Sequence, residues 1–158
     1  MTQTSWPGYP EAVDTRDKLI EFIEARTPCT AYGALGIEMV SYDPDAVTLR
    51  LTVDDRHRQH AGLLHGGISV LMAESAASVA AALSVDLTKA SVAGMEINAN
   101  HLRRVTSGML TAVATPIHRG GRSHVYSIEI RDEQDRLTCV SRCTIAVTPL
   151  RAGMLGLS

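Results

Sequence analysis

The residues that could do chemistry gather in the middle of the chain. The stretch HGGISVLMAESAASVAAALSV, His65 to Val85, is apolar and alanine-rich, yet carries a lone glutamate, Glu74, near its centre. A carboxylate on such a segment can serve as a nucleophile or as a general base toward water. Ser78 follows one helical turn later, a spacing at which a hydroxyl can orient a water beside that carboxylate. At the front of the stretch, His65-Gly66-Gly67 would start a helix on residues without side chains. Its first backbone N–H groups, at the positive end of the helix dipole, are then open to a ligand and suit a developing oxyanion. These residue types together fit attack on a carbonyl. The plainer alternative is that Glu74 lies at a helix edge, where it reaches water or pairs with an arginine such as Arg103, and that HGG is a simple entry turn.

Spacing adds a demand. Gly66 and Glu74 stand eight residues apart, which on one helix is about 12 Å along the axis, too far for one glutamate to reach a carbonyl held at Gly66. One chain therefore cannot close such a site. Two of these helices paired antiparallel about a twofold axis would set Glu74 of one against Gly66 of the other, giving two equivalent composite sites per dimer.

The helix expected from about Gly66 to Val85 is apolar or small on every side, the mark of a membrane span or of a helix enclosed by other structure. Four serines and Glu74 dilute it, and its flanks read as strands, so enclosure by a curved sheet fits better. Before it, TRDKLIEFIEAR (Thr15 to Arg26) reads as a short amphipathic helix, and the runs around Asp43-Pro44-Asp45 as a β-hairpin with Val47, Leu49, Leu51 and Val53 alternating. After it, four strands are expected at about 90–105, 109–118, 123–131 and 137–148. The turn signals TSG, RGGR and DEQDR separate them, which suggests an antiparallel meander.

With 158 residues, 45% apolar and 20% charged, the chain suits one compact domain, expected over 15–150, between a loose leader at 1–14 and a tail at 151–158. The leader has neither a basic start nor an apolar run, so it does not read as a secretory signal. The net charge of −2 offers no basic field for nucleic acid or an acidic membrane, and any anionic ligand must be met by local arginines. Cys139 and Cys143 fall on one strand, too far apart to bridge, so the three cysteines read as reduced thiols of a cytoplasmic protein.

The segments QHAGLLHGG, then Glu74 and Ser78, then GMEINANHLRRV and HRGGRSHVYSIEI resemble the hotdog-fold acyl-CoA thioesterases. The likeness is greatest to the Arthrobacter-type 4-hydroxybenzoyl-CoA thioesterases, with the dihydroxynaphthoyl-CoA and phenylacetate-pathway enzymes beside them. It covers about 33–148. It implies an α+β fold in which an antiparallel sheet wraps a long central helix, with dimers sharing a continuous sheet and assembling into tetramers. By resemblance the Gly66 N–H polarises the thioester carbonyl, Gln59 and His65 support that end, and Glu74 of the partner chain is nucleophile or general base. Ser78 would place the water, and His101 would lie near the sulfur. The substrate implied is an acyl-CoA, tilted toward aromatic acyl groups, with no cofactor.

Coenzyme A brings several phosphate charges that arginine forks suit, which makes Arg103, Arg104, Arg119 and Arg122, with the Gly67 backbone, candidates for its binding. His57, His60 and His65 could suggest a metal cluster, but Arg56 and Arg58 interleave and would repel a cation, so no metal is expected. Two other functions fit the fold: a non-catalytic acyl-CoA sensor, against which Glu74 and Gln59 argue, and a dehydratase or hydratase, whose histidine and acid sit in a different local context.

Overall fold

Thr15 caps the first helix, its hydroxyl accepting from the Lys18 N–H at 3.3 Å, and α1 runs Arg16–Arg26 with Asp17 in its first turn and Arg26 in its last, the charge order that the helix dipole favours. The computed structural model describes residues 13–150. The expected leader, apart from Val13 and Asp14, and the tail at 151–158 lie outside the described residues. The proline and glycine that break the pattern after α1 do not make a bare loop. They flank a short helix, α2 (Ala31–Leu35), which Gly36 ends in the left-handed conformation at φ 66°.

Strands β1 (Ile37–Ser41) and β2 (Val47–Val53) form the expected hairpin. Asp43 builds its turn, accepting from the Asp45 N–H through its carboxylate at 3.0 Å and from the Ala46 N–H through its carbonyl at 2.9 Å. Val47, Leu49, Leu51 and Val53 all point into the core, as their period of two requires.

The long helix α3 spans Gly66–Ala82 and packs on one face of the sheet. Met72, Ala73, Ala76, Ala77 and Ala80 are fully buried there with Leu49, Leu110, Tyr126, Ile128, Ile130 and Ile145. Four alanines in that set let the helix backbone come close to the sheet, while the large side chains come from the strands. Enclosure is one-sided, however. Gly67 and Glu74 are exposed and Val70, Leu71 and Ser78 half-buried, so the helix keeps an open stripe that its even hydrophobicity did not reveal.

Strands β3 (Ala90–His101), β4 (Gly108–Arg119), β5 (Ser123–Asp132) and β6 (Leu137–Pro149) lie where the pattern puts them, except that β3 ends at His101 rather than near Val105. The four-strand meander does not form. The sheet order is β1-β2-β4-β5-β6-β3, so β3 pairs with β6 at the far edge rather than with β4. Residues 102–107 carry the chain around the sheet end, with the Leu102 N–H donating to the Thr138 carbonyl at 2.8 Å and the Leu64 N–H to that of Val105 at 2.8 Å. No helix among the described residues is long and apolar enough to cross a membrane.

Candidate active site

A cavity of about 420 Å³ opens at the start of α3 and brings together Gln59, Gly66, Ser69, His101, Arg103 and Arg104. Its geometry begins with His57, which is fully buried. The His57 Nδ1 accepts from the Asp54 N–H at 2.9 Å, so its Nε2 carries the proton and donates to the Leu35 carbonyl at 2.7 Å. Thus fixed, His57 takes the His65 N–H on its own carbonyl at 2.8 Å and sets where the helix starts. It is a structural anchor, with both ring nitrogens engaged. Among the described residues no three His, Cys, Asp or Glu side chains come together as a cation site.

The first donors of α3 are not all open, as the sequence suggested. The Gly67 N–H donates to His65 Nδ1 at 2.9 Å and the Ile68 N–H to the His65 carbonyl at 2.9 Å. His65 is thus the helix cap, and in its neutral form holds the ring proton on Nε2. That corrects the role expected of Gly67, whose N–H is already satisfied. Among the described residues the Gly66 N–H has no protein acceptor. The His101 ring lies over this glycine, since a Cβ there would stand 2.7 Å from His101 Nε2. Gln59 has its side-chain carbonyl engaged by the Ala61 N–H, which leaves its amide N–H groups for the cavity it lines. Arg103 and Arg104 are exposed and form no ion pair among the described residues.

Glu74 does not line this cavity. It is exposed in the single chain, makes no ion pair or hydrogen bond among the described residues, and lays its carboxylate against Gly94 of β3. This exposure agrees with the helix-edge alternative, because the sheet leaves this stripe of α3 uncovered. Pairing with Arg103, the plainer alternative, does not occur. Ser78 stands half-buried one turn on. Beneath lies Cys143, whose thiol is pushed up to about 11 by burial and by the charges of Glu74 and Glu96.

Arg119 and Arg122 lie away from the cavity. Arg119 binds the Asp45 carboxylate at 2.6 Å and the Pro44 carbonyl at the β1–β2 turn, and its guanidinium lies 6.0 Å from the Tyr126 ring centre. His124 is buried beside it, shares a hydrogen bond of 3.3 Å between its Nδ1 and the Tyr126 hydroxyl, and has its pKa lowered by burial and then by the charges of Arg119 and His118. Sequence reasoning missed Ser69 and Thr138, small polar residues within apolar-looking runs that nonetheless line the cavity.

A six-stranded antiparallel sheet packed on one long helix is the hotdog fold. The chain belongs to the thioesterase superfamily, whose model matches residues 61–139, and it is a thioester hydrolase. It is 46% identical over 117 residues to the 1,4-dihydroxy-2-naphthoyl-CoA hydrolase of Listeria monocytogenes, covering 74% of this chain and 94% of that one. It is 38% identical over 132 residues to the proofreading thioesterase EntH of Cronobacter turicensis, covering 84% and 96%. Among solved structures, the thioesterase HI1161 of Haemophilus influenzae superposes with a TM-score of 0.77 at 38% identity, over 94% of this chain and 98% of that one.

Proposed function

We propose that this chain hydrolyses the CoA thioester of an aromatic acid, at sites shared between two subunits. The observation that carries the reading is the division of α3: a Gly66 N–H without a protein acceptor at one end, and an unpartnered Glu74 carboxylate two turns along, outside the same cavity. Antiparallel pairing of two chains along the open edge of β3, where Met95 is 66% and Leu102 53% exposed, would bring Glu74 of one to Gly66 of the other.

In the composite site the carbonyl oxygen accepts from the Gly66 N–H, helped by the dipole of α3, while Gln59 donates from the adjoining loop and His65 holds the helix start. Glu74 of the other chain either attacks the carbonyl carbon, giving an anhydride that water then cleaves, or takes a proton from a water placed by Ser78. The C–S bond breaks, the acyl carbon gains a hydroxyl from water, and the CoA thiolate leaves near His101 and is protonated. One donor of the Gly66 kind is typically worth about 10²–10³ in rate. Arg103 and Arg104 are the phosphate contacts of the cavity. Arg119 and Arg122 would require CoA to reach the opposite end of the sheet. The working unit is a homodimer or homotetramer, and three free thiols fit a reducing cytoplasm.

The aromatic assignment draws on the relative named for a naphthoyl-CoA ester. Release of free CoA from benzoyl-, phenylacetyl-, hydroxynaphthoyl- and straight-chain acyl-CoA, with EDTA present, tests it. The expected result is turnover without metal and the highest kcat/KM on an aryl ester. A preference for straight chains contradicts the substrate class, and tight binding without turnover contradicts the catalysis.

A further inference from the structure

Gly94 of β3 is a glycine that its own backbone does not call for. Its φ lies outside the left-handed range, so any residue could adopt the conformation, and a glycine inside a strand ordinarily weakens it. Three observations converge on what it is for. A Cβ at 94 would stand 2.6 Å from Glu74 Oε1, 3.6 Å from its Cδ and 4.0 Å from its Cγ, and would meet nothing else within 4 Å. No backbone is in the way, only the end of one flexible side chain. The fold could therefore accept a methyl group at 94 at little cost, and Glu74 would have to swing aside.

The second observation is a bulge. Register along β3 and β6 shifts between Gly94 and Glu96. His101 pairs with Cys139, Ile97 with Cys143 and Gly94 with Ile145, and these three β6 residues are all buried against the helix side. Without the extra residue, position 94 would share the outward face with Asn98 and Asn100. The bulge turns the glycine inward, under Glu74. The third observation is that Glu74 has no hydrogen bond or ion pair among the described residues to hold it. The shape of the strand beneath is what its carboxylate rests on.

We infer that Gly94 is a positioning residue: by lacking a side chain, and by being turned inward by the bulge, it lets the Glu74 carboxylate lie against β3 in the place from which it acts. This rests on the role given to Glu74 above. Nothing in the reaction touches Gly94 itself, so its effect must pass through Glu74 and must disappear when Glu74 is made shorter.

The experiment measures kcat and KM on benzoyl-CoA, together with Tm and oligomeric state, for Gly94→Ala, Glu74→Asp, Glu74→Gln and the Gly94→Ala/Glu74→Asp double variant. Gly94→Ala is expected to lower kcat about tenfold or more, leave KM within about threefold, and leave Tm and assembly unchanged. In the Glu74→Asp background, where the carboxylate is drawn back by one methylene, the same change should cost less than about twofold, a non-additivity that a purely structural glycine would not show. Three outcomes overturn the inference: near wild-type kcat in Gly94→Ala, an equal loss in both backgrounds, or a marked fall in Tm, since no backbone meets the new methyl group. Near wild-type turnover in Glu74→Gln would instead overturn the reading of Glu74 on which it stands.

Discussion

The two ends of the proposed chemistry are built in opposite ways. At the start of α3 nearly every polar group has an assigned partner: His57 is locked through both ring nitrogens, His65 caps the Gly67 N–H, and Gly66 is left with an open donor under His101. At the middle of the same helix, Glu74 is exposed, without hydrogen bond or ion pair among the described residues, above a glycine. On the proposed chemistry, the contrast teaches that one chain finishes the group that would stabilise charge and leaves unfinished the group that would attack. A donor must be aimed before charge develops, and fixed neighbours do that at no cost during reaction. A carboxylate waiting for a carbonyl from another chain needs no partner of its own.

The largest effect that sharpens this comparison is expected at Glu74. Glu74→Gln keeps the shape and removes the charge, so kcat on an aryl-CoA should fall by orders of magnitude with KM and Tm little changed. Ser78→Ala should cost less, because placing a water is secondary. Near-normal turnover in Glu74→Gln would break the comparison by making Glu74 an ordinary exposed side chain. At the other end the effect should appear in stability. His65→Ala removes the cap from Gly67 and is expected to cost about 1 kcal/mol in denaturant melts, while His65→Asn, which can still accept at that position, should restore most of it. Equal losses in both variants would show that His65 acts other than as a cap.

The sequence pattern carried much of this. The helix over Glu74, the hairpin at Asp43 and the four later strands follow from period and turn residues, and HGG marked the donor end because glycines at a helix start are a local signal. The place of β3 was not legible. TSG at 106–108 reads as a hairpin turn, but strand order depends on where residues 102–107 are tied, and the Thr138 and Leu64 bonds that tie them are contacts far along the chain. The exposure of Glu74 stayed one of two readings for a different reason. On a helix of alanines every face can be buried, so only the sheet decides which one is left open. Gly94 did leave a trace, a lone glycine in a strand pattern, which marks a bulge or a close approach without saying to what.

The central claim, that Gly66 and Glu74 serve one site from two chains, is tested most directly by mixing two crippled subunits. One carries Glu74→Ala. The other carries Gly66→Pro, which deletes the donor at the first helical position, where the proline backbone fits after a His65 whose ψ of 127° suits a residue preceding proline, while its Cβ, 2.7 Å from His101 Nε2, pushes that ring aside. Each homodimer should be inactive. A mixed dimer pairs the intact Gly66 of the first chain with the intact Glu74 of the second, and its other site carries both lesions. Co-refolding should therefore restore up to about half of the wild-type rate per mixed dimer. No recovery in mixed dimers confirmed by mass spectrometry would contradict the shared site.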